Sequence, residues 1–400
     1  MFSNRTGWNL EHSKLSQALT EYRRCGKPLI DLTRSNPTEC GFHYDSDVIL
    51  QALNNPGSMN YEPIAQGLPQ ARAAVAGYYS ARGSHVSVDD IFLTTGTSEA
   101  YSFLLRTLCN PGDEVLIPQP GYPLLNFLAD LHDVTLVRYA LVYDYGWQID
   151  FHSLRQAITP RARAIVIVHP NNPTGHFCKA HEMEQLHQLC SEHQLALIAD
   201  EVFLDFGLGA AAAPRSFVSS TEALTFTMSG LSKISGLPQM KLAWLVVTGP
   251  QQLTQQAMAR LEMIADTYLS MNTPMQLALG VLMGQRHTFQ KQCVQRVQNN
   301  LAHLDEMLSS QKLCARLRVE GGWYAVLTMP PIATDDELAF ELLHDCGVYL
   351  HPGHFYDFPG NGYLVVSLIA PESEFASGIG ALLEMLRDKS GGLIPGSSNA

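Results

Sequence analysis

Short apolar runs alternate with longer amphipathic stretches between about residues 86 and 247, and this pattern restricts the fold more than any other feature. The clearest apolar runs are residues 91–93, 114–117, 164–168, 196–199 and 243–247. Runs of this length, bounded by turn-forming residues, are typical of strands that are buried on both faces. Their alternation with helical stretches predicts a largely parallel sheet that is covered by helices.

The pattern changes in the last third of the chain. Residues 276–308 predict one long helix that leads out of the sheet domain. Short strand patterns follow at residues 322–327 and 364–368, and helical periodicity returns at residues 335–346 and 374–386. We therefore predict an α/β protein with a large, mainly parallel-sheet domain and a smaller α+β domain.

A chain of 400 residues is longer than one compact core usually holds, which also favours two domains. We place the large domain at residues 46–275 and the interdomain helix with the small domain at residues 276–390. Residues 391–400 are rich in Gly and Ser, and we predict that this tail is disordered.

The composition excludes several classes of protein. Apolar residues make up 46% of the chain and charged residues 16%, as in ordinary globular proteins. A net charge of −12 argues against a nucleic-acid partner, and the apolar runs are too short to cross a membrane. The first residues do not resemble a signal peptide. The eight cysteines form no Cys-x-x-Cys pair, which favours reduced thiols in the cytoplasm and no metal site.

Three polar side chains follow predicted strands, where parallel sheets bind their ligands. Asn172 comes after the apolar run 164–168, Asp200 ends the run 196–199, and Lys233 lies in a turn of small residues. An amide, a carboxylate and an amine are the groups that a pyridoxal phosphate site requires. The lysine forms a Schiff base with the cofactor aldehyde, and the carboxylate keeps the pyridine nitrogen protonated.

In order and spacing, these motifs resemble the class I/II aminotransferase family of fold type I pyridoxal-phosphate enzymes, from about residue 31 to about residue 370. The resemblance implies pyridoxal 5'-phosphate as cofactor, an amino donor and a keto acceptor as substrates, and Lys233 and Asp200 as catalytic residues. It also implies that the N-terminal segment, residues 1–45, packs on the small domain.

The resemblance assigns further residues to the cofactor. The turn at residues 94–100 precedes a predicted helix, whose free N–H groups bind a phosphate, although a plain Ser/Thr helix cap would give the same pattern. Tyr122 matches the aromatic residue that stacks on the pyridine ring, and a structural tyrosine is the alternative. The cofactor-binding residues implied by the resemblance are Gly96, Thr97, Ser98, Tyr122, Asn172, Asp200, Ser232, Lys233 and Lys241.

Tyr61 lies in a segment, residues 60–69, that resembles another motif of the family. In that motif the tyrosine reaches the cofactor phosphate of the partner subunit. The resemblance therefore implies a homodimer with two shared sites.

The sequence also departs from the family pattern. Phe203 stands where the family usually has a tyrosine that bonds the cofactor ring oxygen, and Lys241 stands where it has a phosphate-binding arginine. No Lys or Arg lies between Arg318 and Arg387, so the usual arginine for the substrate carboxylate is missing.

Two explanations of the missing arginine are open at this point. Arg34, in a segment that matches the substrate side of the family site, is a candidate replacement, although a surface or interface role would explain it equally. Alternatively, the substrate has no free α-carboxylate and meets aromatic residues such as Trp323, Tyr324 or Phe355.

The predicted function is a pyridoxal-phosphate-dependent aminotransferase that acts on an amino acid or related amine through a Schiff base on Lys233. The alternative is a pyridoxal-phosphate-dependent lyase, cyclase or decarboxylase on the same scaffold, because a fold does not fix the reaction. The departures at Phe203 and at the carboxylate arginine keep that alternative open.

Overall fold

The computed structural model describes residues 1–11, 13–209, 214–331 and 333–391 of the chain. Within these residues the helices are α1 (Lys14–Arg24), α2 (Ser46–Leu53), α3 (Pro69–Ala81), α4 (Thr97–Leu108), α5 (Leu124–Leu131), α6 (Phe151–Ala157), α7 (Ala180–His193), α8 (Leu231–Ile234), α9 (Gln251–Tyr268), α10 (Thr273–Gly284), α11 (Arg286–Ser309), α12 (Asp335–Cys346) and α13 (Glu372–Gly391). No helix in the described part of the chain is long and apolar enough to cross a membrane.

The strands pair into three sheets. They are β1 (Ile30–Asp31), β2 (Ile91–Thr94), β3 (Glu114–Gln119), β4 (Thr135–Tyr143), β5 (Trp147–Ile149), β6 (Ala162–Val168), β7 (Ala196–Asp200), β8 (Thr225–Gly230), β9 (Ala243–Thr248), β10 (Ala315–Arg316), β11 (Tyr324–Thr328), β12 (Val348–Tyr349), β13 (His351–Pro352) and β14 (Tyr363–Ser367).

The largest sheet has eight strands in the order β2-β9-β8-β7-β6-β3-β4-β5. Strands β8, β7, β6, β3 and β4 are parallel to their neighbours in that series, whereas β9 and β5 are antiparallel to theirs. Because β2 is antiparallel to β9, it runs in the same direction as the parallel series. This mainly parallel sheet with its helices confirms the predicted α/β fold class.

Burial on both faces explains why the central strands are apolar throughout. On one face, Val166 and Ile198 pack in a cluster with residues of α4 and α9. On the other face, Ile165 and Leu197 belong to a second cluster that includes residues of α7. Since both faces are covered by helices, neither face requires the alternation of polar and apolar residues that a solvated sheet shows.

A smaller sheet of four strands, in the order β10-β11-β14-β13, is antiparallel throughout. Helix α12 packs beside it, and capping residues in its sequence determine where the helix begins and ends. Thr334 and Glu337 form a reciprocal capping box at its start, and Gly347 adopts a left-handed conformation at its end. The strand β12 follows directly and pairs in parallel with β1 from the N-terminal segment.

The N-terminal residues contact both parts of the molecule. Helix α1 packs against α12, and β1 pairs with β12. Before α1, however, the Trp8 indole donates a hydrogen bond to Asp130 on α5 at 2.7 Å, and Arg5 forms an ion pair with Asp133. The first residues of the chain therefore lie against the helices of the large sheet.

The region predicted as one long helix consists of two helices, α10 and α11, which are separated at Gln285. The single-helix prediction is wrong because the two helices pack on different partners. Helix α10 packs on α2 and α3, whereas α11 packs on α13. The predicted disordered tail lies outside the described residues, except for Gly391, which is the last residue of α13.

Candidate active site

One edge of the large sheet collects the carboxyl ends of six strands that run in the same direction. Besides β4, these are β2, β3, β6, β7 and β8, which end at Thr94, Gln119, Val168, Asp200 and Gly230. In open α/β sheets this is the edge at which ligands bind. The motifs at Gly96, Tyr122, Asn172, Asp200 and Lys233 lie at one of these strand ends or within a few residues of it, whereas those at Arg34 and Tyr61 do not.

A cavity of about 180 Å³ opens at this edge. It lies between the strand ends, the start of α5, and residues from the N-terminal segment and the small sheet. The predicted site residues that line it are Thr97, Tyr122, Asn172, Asp200 and Lys233. The fold thus brings together side chains that are up to 136 positions apart in the sequence, counted from Thr97 to Lys233.

Lys233 lies on the short helix α8, directly after β8. Its Nζ is 4.8 Å from the ring centroid of Trp323 and 5.4 Å from that of Phe203. Burial among these rings lowers the pKa of Lys233 to about 8, although the nearby Asp200 carboxylate acts in the opposite direction. A lysine with such a pKa exists partly as the neutral amine at physiological pH, which is the form that acts as a nucleophile or base.

Asp200 ends β7 and is held by two hydrogen bonds. Its Oδ1 accepts from the backbone N–H of Val202 at 3.2 Å, and its Oδ2 accepts from the Tyr101 hydroxyl at 3.2 Å. Burial nevertheless raises the pKa of Asp200 to about 6, against the effect of these donors and of Lys233. A carboxylate in this state gains from a cationic partner, which a protonated pyridine nitrogen would supply.

Asn172 and Tyr122 line the cavity from two different loops. The Asn172 Oδ1 is buried and has no hydrogen-bond partner among the described residues. Buried amide oxygens are normally paired, so this group is available to a polar ligand. Tyr122 lies between β3 and α5, is 48% exposed, and has its ring 6.4 Å from that of Tyr356.

The start of α4 lies at one end of the candidate site and presents N–H groups that are unpaired within the described residues. Gly96 precedes the helix, and its carbonyl accepts the N–H groups of Glu99 and Ala100. The N–H groups of Thr97 and Ser98 make no hydrogen bond within the described residues, so they are free for a ligand. Lys241 brings its Nζ within 3.6 Å of the position that a Cβ on Gly96 would occupy. A helix N-terminus beside an ammonium group is suited to a phosphate.

Six predicted residues do not line the cavity. Gly96, Ser98 and Lys241 lie around the start of α4, next to the cavity-lining Thr97, and the other three lie elsewhere. Ser232 is next to Lys233 on α8 and does not line the cavity. Tyr61 is 77% exposed and lines a separate surface groove with Ile64 and Leu269.

Arg34 is the third. It does not line the cavity, because its guanidinium forms an ion pair with Glu374 at 2.8 Å and donates to the Glu39 carbonyl. The next residue, Ser35, lines the cavity instead.

Phe203 lines the cavity, and its ring packs at 5.1 Å from that of Trp323. The position that usually carries a phenol therefore faces the site and offers no hydrogen bond. Tyr324 also lines the cavity, whereas Trp323 is fully buried beneath Lys233 and Phe355 stacks on His351.

Sequence reasoning missed several residues of the site. Tyr101, which bonds Asp200, lies one helical turn after Thr97 on α4, and this spacing could have revealed it. Asn126 and Asp357 line the cavity as well, but no sequence pattern connects them with it. Their position depends on how the start of α5 meets the loop before β14.

The comparisons with known proteins agree with this geometry. The family model "Aminotransferase class I and II" matches residues 27–372, and the chain belongs to this family. Glutamate-pyruvate aminotransferase AlaA of Escherichia coli (strain K12) is 32% identical over 261 residues, which are 65% of this chain and 64% of that protein. An alanine aminotransferase of Mycobacterium tuberculosis is 34% identical over 265 residues, covering 65% and 61% of the two chains. The matched part thus spans somewhat under two thirds of each relative.

Solved structures extend the similarity to nearly the whole chain. An aminotransferase from Escherichia coli matches with a TM-score of 0.83 at 26% identity, covering 96% of this chain and 99% of the other. Alanine aminotransferase from Pyrococcus furiosus matches with a TM-score of 0.86 at 22% identity, covering 97% and 100%, and this likeness concerns the fold.

Members of this family depend on pyridoxal phosphate, the cofactor that the motifs predict. The residues present fit that group. Asn172 has an unpaired buried oxygen, Asp200 has a raised pKa that a cation would offset, and α4 offers free N–H groups beside Lys241. The amine of Lys233 lies next to the rings of Trp323 and Phe203 in the same site.

Proposed function

We propose that the protein is a pyridoxal-phosphate-dependent aminotransferase that moves an amino group between an amino acid or related amine and a keto acid. The observation that supports this most strongly is the meeting of Lys233, Asp200 and Asn172 in one cavity at the strand ends. When bound, the cofactor supplies an aldehyde carbon for the amine and a ring that accepts electron density.

The residues of the chain would hold and direct that cofactor. The N–H groups of Thr97 and Ser98 would bind its phosphate, with Lys241 contributing positive charge. Asp200, fixed by Tyr101, would keep the ring nitrogen protonated. Lys233 would hold the aldehyde covalently until the substrate amine replaces it. Its neutral Nζ would be the base that takes the proton from the substrate Cα, and the resulting ammonium group would be the acid that gives the proton back.

Stopped-flow absorbance with the holoenzyme and single amino acids tests this function. The names of the relatives make alanine and glutamate the first donors to use, with pyruvate as the acceptor for the amino group of glutamate. We expect the visible band of the aldehyde form to give way to the near-ultraviolet band of the aminated form, with one keto acid produced per site. Release of ammonia together with pyruvate would show a lyase, and release of carbon dioxide would show a decarboxylase.

We further propose that the active unit is a homodimer in which Tyr61 completes the partner's site. Tyr61 does not reach the cavity of its own subunit, and its side chain is largely exposed. Exposed apolar side chains share its groove, since Ile64 and Leu269 line the groove with Tyr61 and are 40% and 39% exposed. A face of this kind is characteristic of a protein interface. A cytoplasmic location belongs to the same proposal and is supported by the free thiols of all eight cysteines.

Replacing Tyr61 with phenylalanine should weaken cofactor binding about tenfold, because one hydrogen bond to a charged phosphate is lost. The measurement is the cofactor dissociation constant, determined by absorbance titration well above the concentration at which the dimer dissociates. Tyr145→Phe is the matched control, since Tyr145 is 89% exposed on the turn between β4 and β5. An equal and small effect of both substitutions would mean that Tyr61 has no contact with the phosphate.

A further inference from the structure

The charges in the cavity leave a substrate carboxylate without a partner. The charged side chains that line the cavity are Lys233, Asp200 and Asp357. In the proposed function, Lys233 and Asp200 serve the cofactor, and Arg34 is already paired with Glu374. A keto acid nevertheless carries a carboxylate, which needs a cation or several donors once it leaves water.

Arg138, on β4, lies directly behind the cavity wall. Its Nε donates to the Asp357 Oδ2 at 2.9 Å, and its Nη2 lies 2.8 Å from the same oxygen. The Nη2 also donates to the Asn126 Oδ1 at 3.4 Å. Both acceptors line the cavity, as does Ile117, the register partner of Arg138 on β3. Among the described residues, Arg138 is the one Lys or Arg that does not line the cavity but bonds to two side chains that do, those of Asp357 and Asn126.

The bonds that hold Arg138 can be exchanged. The side chains of Arg138 and Asp357 are 37% and 33% exposed, and ion pairs with this much exposure contribute little to stability. Both contacts use one oxygen of Asp357, and the Arg138 Nη1 makes no hydrogen bond within the described residues. The guanidinium therefore has donors left for a second carboxylate, which arginine binds in a two-point geometry.

The backbone that carries Asp357 is fixed independently of its side chain. Gln119 donates to the Asp357 carbonyl at 2.9 Å, and the Gly121 N–H donates to the Tyr356 carbonyl at 2.9 Å. Asp357 can thus release Arg138 without movement of the loop. Its backbone φ of 60° is left-handed, a conformation that asparagine also adopts readily.

We propose that Arg138 binds the carboxylate of the substrate and that Asp357 occupies its guanidinium until the substrate arrives. This inference rests on the proposed function and adds to it the residue that selects acidic substrates. It accounts for the missing arginine in the small domain, since the positive charge would come from β4 of the large sheet.

The test measures the dissociation constant of glutarate for the holoenzyme by isothermal titration calorimetry. Glutarate is a dicarboxylate without an amine. Glutaramide, its neutral counterpart, is the reference ligand. We expect Arg138→Ala to weaken glutarate binding at least tenfold and Arg138→Lys to give an intermediate value, because lysine keeps the charge without the fork. Asp357→Asn should strengthen glutarate binding, because it removes the competing carboxylate. Glutaramide binding should change little in all three variants.

Arg316→Ala is the matched control, because Arg316 forms a similar pair with Asp305 at 2.7 Å away from the cavity. If Arg138 has only a structural role, Arg138→Ala and Asp357→Asn would shift the binding of glutarate and the binding of glutaramide in the same direction. That result would overturn the proposal. Glutarate binding that is undetectable in the wild type, or unchanged in Arg138→Ala, would also overturn it. The cofactor content and the half-reaction with alanine test the proposed function separately, so failure of one is distinguishable from failure of the other.

Discussion

Replacing Lys233 with alanine is expected to lower the rate of amino transfer by about 10⁴-fold, because the substitution removes both the attachment point of the cofactor and the base. Among the described residues, Lys233 is the one lysine that lines the cavity, so no second amine is placed there to take over. Single-turnover absorbance with an amino acid measures the effect. Treatment of the wild type with borohydride, followed by peptide mass spectrometry, should locate the cofactor on Lys233.

Lys241→Ala is the control for this experiment. In the proposed function Lys241 contributes charge to the binding of the cofactor phosphate, so its loss should weaken cofactor binding while borohydride still fixes the bound cofactor to Lys233. A Lys233→Ala variant that turns over at the wild-type rate would refute the mechanism, whatever its cofactor content.

Asp200→Asn is expected to have two large effects, a lower catalytic rate and a higher stability of the protein without cofactor. The first is a loss of more than nine tenths of the catalytic rate, because an amide cannot hold the proton on the ring nitrogen. Retention of more than about a tenth of the activity, which is a loss below about 1.4 kcal/mol in the barrier, would contradict the role given to Asp200.

The second effect is a gain in stability of the protein without cofactor. Burial raises the pKa of Asp200 from 3.8 to about 6, so the folded state retains the proton at a pH where the unfolded chain has lost it. Unfolding becomes easier as the pH rises between these values, and the full cost, at most about 3 kcal/mol, is present above pH 6. Asparagine has no such cost. The variant should therefore be more stable than the wild type at pH 7 and equally stable below about pH 4.

Urea unfolding across this pH range measures the difference. Asp144→Asn, at an exposed position in the turn after β4, is the control and should show no comparable gain. Added cofactor should stabilise the wild type more than the Asp200→Asn variant. If Asp200→Asn destabilises the protein at pH 7, the carboxylate is better solvated than its position indicates.

Five strands of the main sheet were predictable because they are buried on both faces and most of their side chains are apolar, whereas β4, β5 and β8, which together carry a larger share of polar residues, were not predicted. The predicted runs correspond to β2, β3, β6, β7 and β9. Asn172 and Asp200, which follow β6 and end β7, line one cavity as a consequence of the parallel pairing of these two strands. The break at Gln285 was not predictable in the same way, since helical periodicity does not show that a helix changes its packing partner.

Contacts between distant segments account for most of what the sequence could not predict. Arg34 carries a charge and lies beside the cavity-lining Ser35, but Glu374, 340 positions later, pairs with it. Arg138 and Asp357 are 219 positions apart, and each alone resembles an ordinary exposed residue. Local patterns give no information on such pairs, because they depend on how the large and small sheets meet.

The cavity has a consequence for the folding of the chain. Its walls come from the ends of separate strands, so no single segment can bind the cofactor before the sheet has assembled. A ligand that binds only the assembled state adds its binding free energy to the stability of that state, and each tenfold excess over the dissociation constant adds about 1.4 kcal/mol. The supply of the vitamin-derived cofactor in the cell would therefore set how long the protein survives against proteolysis, as well as how fast it works.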